Sequence, residues 1–270
     1  MTPSPSVWYV YGIVPATASL GDAPAGIDDR SVTVEATGRV AALVSRLPAD
    51  VYGGSSLEER VGDLEWLSGP AVIHDRVLSW ASETAPVIPL PLFSGIFSSV
   101  EAVAARLRDR EGELAATLDR LAGAREYALR VYRVDAELRA ALPTLSPAID
   151  ELTRAAESAG PGQRYLLERK LDERAREELT AVGRRVAAEV LDALAARARG
   201  GVASPIPRPT APSPGTLILN AAFLVADDGL PAFQETLTAL VDRYHPLGFR
   251  FDFTGPWPAY HFAEGADDRA

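Results

Sequence analysis

The chain has 270 residues, a formal charge of −10 and no cysteine. That length exceeds the usual single domain and predicts two, each with its own core, while the missing thiols exclude disulfides, thiolate metal sites and cysteine nucleophiles. The acidic balance argues against a general electrostatic grip on nucleic acid, and His74, His245 and His261 share no HxxxH or HxH spacing that would hold a transition metal.

The N-terminus carries no basic and apolar leader pattern, and no apolar run approaches the roughly eighteen residues a spanning helix needs. A cytosolic, soluble chain without a lipid-membrane partner is therefore expected. Residues 6–14 are apolar on both alternating faces, with Trp8 and Val10 on one side and Tyr9 and Tyr11 on the other, so the spacing predicts a strand covered twice. A Gly/Asp/Pro loop at 21–30 precedes a hairpin formed by 31–36 and 39–47, with Thr37 and Gly38 at the turn. Val72, Ile73, Val77, Leu78 and Trp80 predict a helix over 69–84, and 86–90 a short strand closed by prolines. A single helix over 99–122 follows from Val100, Val103, Leu107, Leu114, Leu118 and Leu121, with Ser98 or Ser99 as cap and Gly123 as stop.

Arg125–Val134 reads as a strand, and a domain boundary is placed at 123/124. A stripe from Leu167 through Leu194 predicts a long helix at 163–198, ended by Gly200 and Gly201, with charges of mixed sign on its solvated face. The proline-rich stretch 204–214 suits neither central strand nor helix, and only 202–206 is read as a short pairing segment. Residues 216–226 read as a buried strand, 230–244 as a helix, and 247–253 as a last strand with Phe249, Phe251 and Phe253 alternating with Arg250 and Asp252. The resulting order, β-α-β-β-α-β, is the ferredoxin-like arrangement. The fold class is α+β: an N-terminal α+β domain over 1–123, a modified ferredoxin-like domain over 124–263, and a disordered acidic tail at 264–270.

Catalytic constellations are missing. There is no P-loop, no GxGxxG and no G-x-S-x-G elbow, Phe93-Ser94-Gly95 being the nearest fragment. His74 invites an acid/base reading, but nothing titratable can be placed beside it from the sequence, and a structural role is expected. His245 sits at a helix end, and His261 lies in the aromatic terminal block. No catalytic, cofactor or metal residue is assigned. The candidate partner-contact residues are Phe93 and the proline-flanked Trp257 with Tyr260, aromatics of the kind that anchor interfaces.

Six ordered blocks carry a family resemblance: Val7-Trp-Tyr-Val-Tyr-Gly-Ile-Val14, Pro86-Val-Ile-Pro-Leu-Pro-Leu-Phe-Ser-Gly-Ile-Phe97, Tyr127-Ala-Leu-Arg-Val131, Pro161-Gly-Gln-Arg-Tyr-Leu-Leu-Glu-Arg-Lys170, Leu219-Asn-Ala-Ala-Phe-Leu-Val225 and Gly255-Pro-Trp-Pro-Ala-Tyr-His-Phe262. Together they resemble the gas vesicle protein GvpL/GvpF family across nearly the whole chain. Two blocks depart from the family pattern, at Leu92-Phe-Ser-Gly-Ile96 and Tyr127-Ala-Leu-Arg-Val131, where an arginine and a tryptophan of the family are replaced. No role of those two side chains is carried over. The resemblance implies a nonenzymatic accessory protein, gas vesicle associated, that contacts the hydrophobic shell protein GvpA and other accessory Gvp proteins during nucleation or as a minor vesicle component. The alternative is a cytosolic small-ligand-binding regulatory protein with a ferredoxin-like domain.

Overall fold

The computed structural model describes residues 5–207 and 213–263. Contacts divide the chain into two compact units: one runs to Glu126 and resumes at Pro256, and the other is Tyr127–Gly255. The sequence reading divides at 123/124 and keeps 256–263 in the second domain. The contacts return Pro256 onward to the first unit, where Glu126 and Arg120 hold that segment by its backbone. The expected tail at 264–270 and the centre of the proline-rich stretch, 208–212, lie outside the described residues.

The first unit is built around β1 (Ser6–Pro15), which is buried on both faces as its sequence predicts. It pairs antiparallel with β3 (Val40–Pro48), β4 (Ile88–Pro89) and β5 (Ile96–Phe97). β2 (Thr33–Thr37) pairs with β3 and gives the order β2-β3-β1-β4. The expected strand at 86–90 shrinks to β4, because Pro89 within it and Pro86 and Pro91 around it have no N–H to give the ladder.

Short helices α1 (Ala49–Tyr52) and α2 (Gly54–Arg60) lead to α3 (Leu64–Ser82), whose Val77, Leu78 and Ala81 pack under Tyr9 and Tyr11. α3 begins five residues earlier than the predicted 69, because the Asp63 side chain accepts from Glu65 N and Trp66 N and the helix carries Pro70 inside it. The other sheet face is covered by α4 (Val100–Asp109) and α5 (Glu111–Leu121), through Val103, Leu107, Leu114 and Leu118. The spacing alone predicts one helix here, and the structure has two. Between Leu107 and Leu114 no apolar side chain faces the sheet, and the chain breaks at Arg110 (φ −117°, ψ 12°), whose guanidinium pairs with Glu113. Ser99 caps α4 by accepting from Ala102 N at 3.2 Å. Ser99→Ala is expected to cost about 1 kcal/mol, read as a lower urea midpoint; an unchanged midpoint would show that the cap contributes nothing.

The second unit runs through β6 (Ala124–Arg133), α6 (Asp135–Leu145), α7 (Pro147–Ser158), α8 (Pro161–Ala195), β7 (Gly200–Ala203), β8 (Thr216–Ala226), α9 (Leu230–Tyr244) and β9 (Phe249–Trp257). Its sheet order is β7-β8-β6-β9. The first and third strands of the unit therefore lie at the centre, which is the ferredoxin-like order, and the modification is a first crossover of three helices where one is usual. Leu129 and Val131 on β6, Leu219, Ala221, Phe223 and Val225 on β8, and Phe249 on β9 alternate inward against two helical stripes. One stripe is Ala175, Leu179, Val182, Val186, Val190 and Leu194 of α8; the other is Phe233, Leu237, Leu240 and Tyr244 of α9. Phe233 lies edge-on to Phe223 at 5.4 Å and beside Phe253 at 5.8 Å, while Tyr127 stacks on Phe253 at 5.2 Å. Phe251 and Phe253 are half-buried against this core. Both sheets are antiparallel, and the fold is two-unit α+β.

Candidate partner-binding site

The segment Pro256–Phe262 belongs to the first unit and combines a stiff backbone with two partly exposed rings. Pro256 and Pro258 each fix φ. Pro258 and Ala259 are buried, whereas Trp257 is 43% and Tyr260 37% exposed. Trp257 lines a groove of about 190 Å³ together with Ser82, Glu83, Val87, Arg125 and Pro256. The lining is mixed, apolar at Val87, Leu121 and Pro258 and polar at Ser79, Ser82, Glu83, Arg125 and Glu126.

What holds this segment is a carboxylate. Glu126, 3% exposed, accepts from the backbone N of His261 at 2.9 Å and pairs with its Nδ1 at 2.7 Å. Arg120 Nη2 donates to Phe262 O at 2.7 Å, a second clamp on the same turn. Burial pushes the Glu126 carboxyl above its usual range, and the hydrogen bonds from His261 pull the other way. The Tyr260 hydroxyl is pushed up to about 12 by burial, helped by the charges of Asp75 and Glu126. The sequence reading missed Glu126; its signal is an acid set among the β-formers that open β6.

Phe93 sits elsewhere in the same unit. Its φ of 61° places it in the left-handed region, and its ring packs against Tyr9 at 5.5 Å, Tyr52 at 5.8 Å and Trp66 at 5.6 Å. It is a half-buried member of an aromatic cluster and does not line the Trp257 groove. A hydrogen-bond chain fixes its turn. His74 Nε2 lies 3.0 Å from Leu90 O, a pure acceptor, so this nitrogen carries the proton. Nδ1 is then the acceptor and Tyr9 Oη donates to it at 2.6 Å, while Phe93 N donates to Tyr9 Oη at 3.4 Å. Burial drives the Tyr9 hydroxyl upward and the His74 imidazole down to about 4. His74 is thus a neutral bridge between α3 and the 90–93 turn, the structural role expected for it. His245 lies in the turn after α9. Among the described residues no group of three or more His, Asp or Glu side chains is placed to hold a metal ion.

Residues 7–264 match the model of the gas vesicle synthesis protein GvpL/GvpF family. Gas vesicle protein L of a Streptomyces species is 29% identical over 265 residues, covering 96% of this chain and 94% of that protein. Gas vesicle protein L of Haloferax mediterranei is 26% identical, covering 88% and 72%. Two crystal structures share the fold: the gas vesicle protein GvpF of an Anabaena species, with a TM-score of 0.65 at 19% identity and 96% of both chains covered, and that of Microcystis aeruginosa, with 0.63 at 21%, covering 96% of this chain and 99% of that one. A match that runs through both units in order leaves one conclusion: the chain belongs to the gas vesicle synthesis protein GvpL/GvpF family.

Proposed function

We propose that the protein is an accessory factor of gas vesicle formation that binds the shell protein GvpA, other Gvp proteins, or both, during nucleation or as a minor vesicle component. Family membership supports the gas-vesicle role. The observation that carries partner binding is the Pro256–Phe262 segment, whose Trp257 and Tyr260 stay exposed while Glu126 and Arg120 hold the backbone beneath them. Rigid exposed aromatics lose little entropy on docking, which is the property of an interface anchor. A hydrophobic shell subunit needs such a partner before it is incorporated, since exposed apolar surface otherwise aggregates. No helix among the described residues is long and apolar enough to cross a membrane, and we place the protein in the cytoplasm at the vesicle surface or its precursor.

The test is co-purification with tagged GvpA and with the other Gvp proteins. Replacing Trp257 and Tyr260 together by alanine is expected to weaken capture by at least about tenfold, the loss of one good anchor, with the melting temperature nearly unchanged. Wild-type protein that captures none of them, with normal vesicles after gene deletion, would overturn the reading.

A further inference from the structure

Building on the reading that this chain binds partners during assembly, we propose that a second groove on its first unit receives an acidic peptide segment of such a partner. The groove, of about 560 Å³, is lined by Ser6, Trp8, Arg30, Ser31, Thr33 and Arg46, and no carboxylate is among its lining residues. The β1–β3 register sets Trp8 directly opposite Arg46. Arg46 Nε donates to Ser6 Oγ at 2.6 Å, which steadies the guanidinium. Among the described residues neither Arg46 nor Arg30 has a carboxylate partner.

The wall that carries Arg30 is held from beneath by buried polar groups. Ile27 N donates to Tyr11 Oη at 2.9 Å, Tyr11 Oη donates to Ser45 Oγ at 3.1 Å, and Ser45 Oγ donates to Ser31 O at 2.9 Å. Gly26 N donates to Arg30 O at 2.8 Å and closes the same turn. Only glycine fits at that position, because a Cβ would stand 2.4 Å from Tyr11 Oη and 2.7 Å from Ser45 Oγ. The arginine thus projects from a fixed backbone, and a ligand meets a wall already in its bound shape.

Two guanidinium forks match carboxylates in geometry as well as charge. On a chain of net charge −10, two arginines with no carboxylate in the lining favour an acidic segment here, against the opposing charge of Glu35, which accepts from the lining Thr33 Oγ1 at 3.4 Å. The groove favours a peptide over a small anion because Arg30, Ser31, Thr33 and Arg46 all stand at exposed positions. Sites for small molecules enclose most of their ligand. An extended chain laid across an open groove reaches both arginines and rests on the half-buried ring of Trp8.

The experiment uses the full chain and a fluorescein-labelled peptide of alternating Glu and Ser, with its Gln counterpart as control, followed by fluorescence anisotropy. Saturable binding of the Glu peptide is expected, weaker by about tenfold or more for the Gln peptide and for the Arg30→Glu/Arg46→Glu double variant, as the loss of charge-assisted hydrogen bonds requires. Added salt should weaken it further. Equal binding by wild type and variant, no saturable binding, or displacement by citrate at equal carboxylate concentration would overturn the inference, the last by showing that the groove takes a free anion. Capture of tagged GvpA and the other Gvp proteins is measured alongside. If wild type captures them but the peptide result is negative, the groove inference fails and the assembly reading stands; if wild type captures none, the assembly reading fails by itself.

Discussion

Taking the protein from neutral pH to pH 4 is expected to remove roughly 3 kcal/mol of stability through His74 alone. The imidazole is 3% exposed and its value falls from 6.5 to about 4, chiefly because burial penalises the charged form. The hydrogen bond to Leu90 O opposes that shift without cancelling it. In the unfolded chain the ring takes up a proton near 6.5, whereas the folded protein refuses it until about 4. The contribution is therefore complete above the unfolded value, declines as pH falls through the window between the two, and is gone below the folded value. The fall from 6.5 to about 4, at about 1.36 kcal/mol per pH unit, sets the size. Geometry points the same way, since a proton on Nδ1 would face the Tyr9 O–H that now donates to it. Glu126, whose carboxyl is raised by burial, works in the opposite sense, so the comparison is between wild type and His74→Gln. The wild-type acid limb between pH 6.5 and 4 should be steeper, and the His74 ring resonances should titrate near 4. A ring that titrates near 6.5, or two acid limbs of equal slope, would refute the assignment.

Gly248→Ala should cost the second unit about 3 kcal/mol, the sum of a left-handed backbone and an overfilled contact. Gly248 ends the turn after α9 with φ 91° and ψ 25°. A Cβ there would lie 2.7 Å from Glu137 Cβ and 2.8 Å from Leu138 N, so it meets the first turn of α6 as well as its own strain. The position is also a junction, because Val134 N donates to Gly248 O at 2.8 Å and ties the end of β6 to the start of β9. Hydrogen exchange of the β8 amides reads the loss; exchange rates within a factor of about 5 of wild type, equivalent to less than 1 kcal/mol, would show that the junction yields more easily than its packing indicates.

Periodicity was legible wherever one element faces one core. The stripe Leu179, Val182, Val186, Val190 on α8 and the alternation Phe249, Phe251, Phe253 on β9 each place an element and its inward face correctly. It was less informative where local chemistry competes with pattern. Pro143 and Pro147 hide α6 and α7, yet Pro147 stands at the first turn of α7, where the missing N–H costs nothing. The Gly69-Pro70 pair imitates a helix start that the Asp63 cap supplies earlier. Of the three aromatics singled out, Trp257 and Tyr260 stay exposed on one segment, while Phe93 turns into a cluster whose members come from four separate stretches of chain. Glu126 shows in the sequence only as an acid among β-formers, because its role depends on His261, 135 residues away.

That separation sets a timetable for synthesis. At the usual 5–20 residues per second, the 135 residues between Glu126 and His261 take roughly 7–27 s to make. Throughout that interval the carboxylate has no imidazole to meet and stays hydrated, so the edge of the first unit that seats Pro256–Phe262 remains unfinished on the ribosome. The second unit is translated in full before the first can close. The segment that carries Trp257 follows its seat on Glu126 by almost the same interval, so the seat is made long before the piece that fills it.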